Sequence, residues 1–130
     1  MALTFHPGPG VIVICDYLTG FQLPEMVKVR PVVVVSPRRR GSQLASVVPI
    51  SSTPPSPIQP WHLLLPPGIY PPARGPVWVK ADMITTVGLA RLDRVKIKGS
   101  GGARSYQTFQ VDPGTLAAIR IAVKAGLGLP

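Results

Sequence analysis

Cysteine is all but absent from this chain. Its 130 residues contain one, Cys15, so no intrachain disulfide is possible and a framework of crosslinked loops is excluded. Cys15 lies in the apolar run Val11–Cys15, where a small buried side chain is expected rather than a nucleophile. A lone thiol also suits a reducing cytosol. Acids are scarce as well, with five Asp and Glu in the whole chain. A two-metal nuclease centre needs several converging carboxylates, and five scattered ones do not supply it. No Cys/His pattern for zinc and no Gly-rich phosphate cradle occurs, so neither a metal nor a cofactor is expected. No apolar stretch approaches the ~20 residues of a membrane span. The start, MALTFHPGPG, has neither the charged beginning nor the apolar centre of a signal peptide.

What the chain does have is positive charge and turns. Fourteen Lys and Arg against the five acids leave a net charge of +9, which points to an anionic partner, a nucleic acid or an acidic protein. With 45% hydrophobic residues the chain can bury a real core, and its length predicts one domain over residues 1–130. Seventeen prolines and 13 glycines predict short segments joined by turns, hence a mainly β fold of barrel type with a terminal helix.

The most strand-like stretch is Lys28–Pro37, KVRPVVVVSP. Its β-branched run suits a pleated surface, and the lack of alternation predicts a strand buried on both faces or wrapped into a small barrel. Pro31 is expected as the first residue of that strand, where a ladder bond can be spared. Arg30, placed before the proline, is biased to extended geometry at the strand's mouth. Val11–Asp16 and Leu44–Ile50 read as flanking strands, and Arg38–Gly41 (RRRG) as a tight turn between strands. Trp61–Leu65 and Val77–Lys80 read as further short strands. The proline-glycine loop Pro66–Pro76 is the weakest candidate for order, with Tyr70 and Arg74 as mobile contact residues. Arg91–Lys98, RLDRVKIK, alternates charged and apolar residues, which predicts one wet, basic face. Ser105–Val111 is expected as a last short strand. Asp112 then caps a helix entered through Pro113 and carrying Leu116, Ile119 and Val123 on one face. His62 reads as a solvent-facing strand residue and His6 as a terminal one.

Five segments in this order, GVIVICDY, PEMVKVRPVVVVSP, VVPISST, WVKADMITTV and RLDR, make the chain resemble the PemK/MazF family of toxins from toxin–antitoxin systems. The resemblance runs from Gly10 to Arg94, and RPVVVVS with VVPIS at this spacing is its most specific part. It implies an SH3-like barrel of the CcdB/PemK type with a C-terminal helix, usually as a homodimer in the cytoplasm. It also implies a metal-independent, sequence-selective endoribonuclease that cuts single-stranded mRNA, is held inactive by an acidic antitoxin, and needs no membrane. The family's arginine before the proline falls on Arg30. Its threonine after the VVP strand falls on Ser51, which keeps the hydroxyl and drops a methyl, and its first-loop glutamate falls on Glu25. The arginine–aspartate pair of the PemK branch falls on Lys80 and Asp82, and the branch's loop histidine is replaced by Pro24.

The residue chemistry agrees with that assignment. RNA is cut without metal when its own 2′-hydroxyl attacks the adjacent phosphate. Arg30 can hold phosphate oxygens with two parallel bonds, Ser51 can orient the phosphate or the hydroxyl, and Glu25 or Asp82 can take the proton. Lys28, Lys80, Arg38, Arg39, Arg40, Arg91 and Arg94 are the candidate RNA-binding cations. The alternative is a non-catalytic barrel of similar shape that binds nucleic acid or a protein target such as gyrase.

Overall fold

Side chains on a strand alternate between its faces, and the valine run Val32–Val35 fills both. The computed structural model of the chain describes residues 2–130. Its strands are β1 (Val11–Asp16), β2 (Val29–Val34), β3 (Leu44–Ser51), β4 (His62–Leu64), β5 (Trp78–Lys80), β6 (Thr85–Gly88), β7 (Leu92–Asp93), β8 (Val95–Lys98), β9 (Arg104–Gln107) and β10 (Phe109–Gln110). Three 3₁₀ turns, Ala81–Met83, Leu89–Arg91 and Ser100–Gly102, interrupt them, and the helix α1 (Pro113–Gly126) follows. The main sheet runs β10-β1-β2-β3-β5-β4, with β6 added on β3 and β7 on β1, while β8 and β9 pair separately. Among the described residues these strands pair antiparallel.

Val32 and Val34 join Val13, Cys15, Tyr17, Ala45, Val47 and Leu92 in one core. Val33 and Val35 face the other way, toward Ile12, Val48, Ile50 and Val79, under Ile119 and Ala122 of α1. The expectation of a strand buried on both faces therefore holds, and each fully buried valine contributes about 1.5–3 kcal/mol. An all-valine run cannot fix its own register by polarity, because a one-residue slip leaves apolar side chains on both faces. Proline fixes it instead. Val35 donates to Ser46 at 2.9 Å, and alternate amides of β2 face β3. Pro31 therefore occupies the position whose N–H would have carried the ladder on to Ile50. The β2–β3 pairing stops at Val32↔Pro49. Pro31 is thus the third residue of its strand, not the first as expected: β1 still pairs with it at Ile14, on the side where no N–H is required.

Several expected elements are divided. Arg91–Lys98 is not one alternating strand but the end of a 3₁₀ turn, then β7 on the main sheet and β8 in the separate ribbon. Ser105–Val111 is split between β9 and β10 for the same reason, since its two halves pair with different partners. Trp61–Leu65 narrows to His62–Leu64. The helix matches expectation: Asp112 accepts from Thr115 N–H at 3.0 Å and from its hydroxyl at 2.6 Å. The Thr115 hydroxyl, more than any other group, holds the Asp112 carboxyl below its ordinary pKa. The cap therefore stabilises above the ordinary carboxylate range and is lost as pH falls through the depressed folded value.

Cys15 is fully buried, and burial pushes its thiol up to about 11. Because the thiolate is the reactive form, native protein at pH 8 is expected to resist iodoacetamide for hours and to react within minutes once denatured. Intact mass reads the outcome; rapid native labelling would show that the core opens around β1.

Candidate active site

Where Pro31 ends the ladder, β2 and β3 part. Were their register to run on two residues past Val32↔Pro49, Arg30 would lie across from Ser51, but the pairing ends there. The opening is a cleft of about 430 Å³ whose lining includes Arg30, Pro31, Ile50, Ser52, Tyr70 and Arg74. Among the described residues no carboxylate lines it. Arg30 is half-buried, and its Nε is buried with no hydrogen-bond partner among the described residues. An orphaned donor on a cation costs about 1–3 kcal/mol, and here it belongs to a side chain at the edge of a cleft. Ser51 is only 4% exposed. Its Oγ accepts from Thr53 N–H at 3.1 Å, which leaves the hydroxyl proton free to be donated. Ser52, on the alternate face, is exposed and lines the cleft.

Glu25 and Asp82 come together elsewhere. Both line a second cleft of about 310 Å³ with Tyr17, Phe21, Pro24 and Met26. Glu25 Oε1 accepts from Gln22 N–H at 2.7 Å while its own N–H donates to Gln22 O at 2.8 Å. That carboxylate clasps its own turn. Asp82 is exposed in the 3₁₀ turn Ala81–Met83, against whose backbone the end of α1 is pressed. Of the four candidate catalytic residues, Arg30 lines the cationic cleft and Glu25 and Asp82 the acidic one, while Ser51 is buried and lines neither.

The candidate cations are scattered too. Lys80 pairs with His62 across β4 and β5 and is not among the residues lining the Arg30 cleft. Arg91 is engaged within the fold, not free on a wet face: its Nη1 donates to Asp16 O at 3.1 Å and its guanidinium lies 4.7 Å over the Phe21 ring. Arg94 lies 5.8 Å over Tyr106, on the exposed strand β9. Arg38, Arg39 and Arg40 follow the far end of β2 from Arg30 and line a groove with Leu3, Phe5 and His6. His6 in that groove approaches the Leu44 carbonyl at 2.8 Å. Lys28 is exposed and its carbonyl accepts from Tyr17 N–H at 3.3 Å, just before β2.

The proline-glycine loop, the weakest candidate for order in the sequence, forms a wall of the cleft, and its expected contact residues Tyr70 and Arg74 line it. Leu65 N–H donates to Val77 O at 3.0 Å, closing the loop at its base, and Ala73 N–H donates to Tyr70 O at 3.1 Å. The Tyr70 ring meets Phe109 edge-on at 5.8 Å, and burial holds its hydroxyl above the ordinary pKa, so it is a neutral donor at pH 7. The available signal was the pair of aromatic and cationic residues inside a proline-rich segment. No helix among the described residues is long and apolar enough to cross a membrane.

Known structures share this architecture. An endoribonuclease in complex with its cognate antitoxin, from a mycobacterial species, is 26% identical, with 95% of this chain and 97% of that one covered at a TM-score of 0.63. A second mycobacterial endoribonuclease is 25% identical, with 98% of each chain covered and a TM-score of 0.65. MazF from Deinococcus radiodurans, 20% identical, covers 96% of this chain and 99% of its own at a TM-score of 0.69, which speaks for the fold. No match was found among curated proteins. A family model matches residues 9–117, most of the chain, and on it the protein belongs to the PemK-like, MazF-like toxins of type II toxin–antitoxin systems.

Proposed function

We propose that this toxin is a sequence-selective endoribonuclease that cuts single-stranded mRNA without a metal ion, with Arg30 and Ser51 at the centre of the reaction. The observation that carries this reading is the parted end of β2 and β3, where Arg30, its Nε buried without a partner among the described residues, opens onto a cleft that Ser52 also lines, next to Ser51 in the chain. The family assignment and the endoribonuclease likeness at 26% identity support it over a non-catalytic barrel. The 2′-hydroxyl attacks the phosphorus, the bond to the 5′-oxygen breaks, and a 2′,3′-cyclic phosphate and a 5′-hydroxyl result. Arg30 holds the non-bridging oxygens as charge builds on them, Ser51 hydrogen-bonds to the same group, and the leaving 5′-oxygen takes its proton from water. Because no carboxylate lines this cleft, the 2′-proton leaves through water or a cleft hydroxyl rather than to Glu25 or Asp82.

The protein works as a homodimer in the cytoplasm, and an acidic antitoxin segment, attracted by the +9 charge, covers the RNA path until it is removed. Incubation of purified protein with a long single-stranded RNA in excess EDTA tests the nuclease reading: cutting persists and leaves cyclic phosphate ends. Cutting that vanishes in chelator and returns with magnesium would overturn the metal-free mechanism. Glu25→Gln and Asp82→Asn are expected to keep kcat within about threefold of wild type, since general-base loss costs about 10²–10⁴-fold. A hundredfold fall in either would move the proton acceptor to the acidic cleft.

A further inference from the structure

The loop Pro66–Pro76 separates two adjoining cavities. One is the cationic cleft of Arg30, in whose lining Arg30 and Arg74 are the charged residues. The other, about 420 Å³, is walled by Leu64, Leu65, Pro66, Pro67 and Pro71. Tyr70, Ala73, Arg74, Gly75, Pro76 and Val77 line both. A cationic compartment beside an apolar one repeats the alternation of a nucleic-acid strand, phosphate then base. Single strands, unlike duplexes, can turn a base out of the stack and into such a pocket. Prolines suit the apolar side, since they offer flat packing surface and no backbone N–H to leave unpaired. Closure of the loop at Leu65–Val77 and the Tyr70–Phe109 ring contact hold the partition in place.

We infer that this loop is a nucleotide subsite beside the cut: Arg74 binds the phosphate group together with Arg30, and the apolar pocket takes the adjoining base. The inference rests on the ribonuclease reading above and assigns it a specificity element. It also supplies the second cation that Lys80, absent from the lining of this cleft, does not. The two guanidiniums meet one phosphodiester with forked donors, a match that lysine's point charge lacks.

Two substitutions test the subsite, one its charge and one its space. Arg74 is exposed, so Arg74→Ala leaves the core untouched. It is expected to raise KM for RNA by about 10- to 100-fold with the cut site retained, because a charge-assisted contact of this kind is worth roughly one to two decades. Arg74→Lys recovers part of the loss. Gly75 lines both cavities and a Cβ added there meets no atom within 4 Å, so Gly75→Phe adds a ring on the partition between them without displacing the fold. It is expected to change base preference at one position next to the cut, read by mapping fragment ends from a long RNA in EDTA. Thermal melting checks both variants, and Gly75→Leu serves as the smaller filler should Gly75→Phe melt early. An unchanged KM in Arg74→Ala, or an unchanged cut-site preference in the folded filler, overturns the subsite while leaving the nuclease intact. A wild-type protein that cuts no RNA overturns the ribonuclease reading itself.

Discussion

Arg30→Ala is expected to lower RNA cleavage by about 10³-fold or more, since removal of one preorganised donor at a developing oxyanion costs about 10²–10³-fold in kcat and Arg30 offers several. Stability should move the opposite way or not at all. The Arg30 Nε is buried without a partner among the described residues, so truncation removes an unsatisfied donor rather than a bond. A rate collapse with an unchanged or slightly raised Tm is the signature of a group held for chemistry rather than for folding. Arg30→Lys keeps the charge but not the fork, and should recover at most about a tenth of the lost rate. Ser51→Ala should cost less, about 10- to 100-fold, and slightly lower Tm because Thr53 N–H loses its acceptor. The measurement is single-turnover cleavage in EDTA beside a melting curve. Arg30→Ala cutting within tenfold of wild type would place the reaction elsewhere on the sheet.

The same comparison marks what could be read from the sequence. Strand β1 and the capped helix α1 were legible to the residue, because a β-branched run and an Asp–Pro start each have one good geometry. Arg30 and Ser51 are singled out by the family pattern alone. The end of the β2–β3 pairing at Val32↔Pro49, which opens the cleft of Arg30, is a long-range property that no local window contains. The grouping of Glu25 with Asp82 in a different cleft was hidden for the same reason. Strand β6 was not read as a strand at all: Thr85–Gly88 is short, and its place is decided by pairing with Leu44–Val47. Pro49 shows the compensating logic. Beyond Val47 the outer side of β3 passes from β6 to β5, and the proline falls in the gap between them, where a missing N–H costs nothing. In the loop Pro66–Pro76, proline and glycine read locally as breakers. In the fold they close a loop on itself, and its order comes from Tyr70 packing on Phe109.

The largest stability effect outside the core is expected at a glycine that ends α1. On helix propensity alone, Gly126→Ala should stabilise, by about 1 kcal/mol. A Cβ at this position, however, would lie 2.9 Å from the Asp82 Cα and 3.1 Å from its N. These are backbone atoms of the 3₁₀ turn Ala81–Met83, whose Ala81 is fully buried and whose Ala81 N–H is bonded to Trp61 O at 2.9 Å. Neither side can yield cheaply: the turn is tied to β4 and β5, and the helix is anchored by Ile119 in the core. Overpacking of this kind costs about 1–3 kcal/mol, occasionally more, and it outweighs the propensity gain. The net cost of about 1–2 kcal/mol should lower Tm by roughly 3–8 °C, at a few degrees per kcal/mol for a chain of this size. Below that lower transition, kcat should stay near wild type, because the displaced turn carries Asp82 and not the cleft of Arg30. A stabilised Gly126→Ala would mean that α1 can slide on the sheet. A destabilised variant that also lost cleavage while still folded would tie Asp82 to the reaction after all.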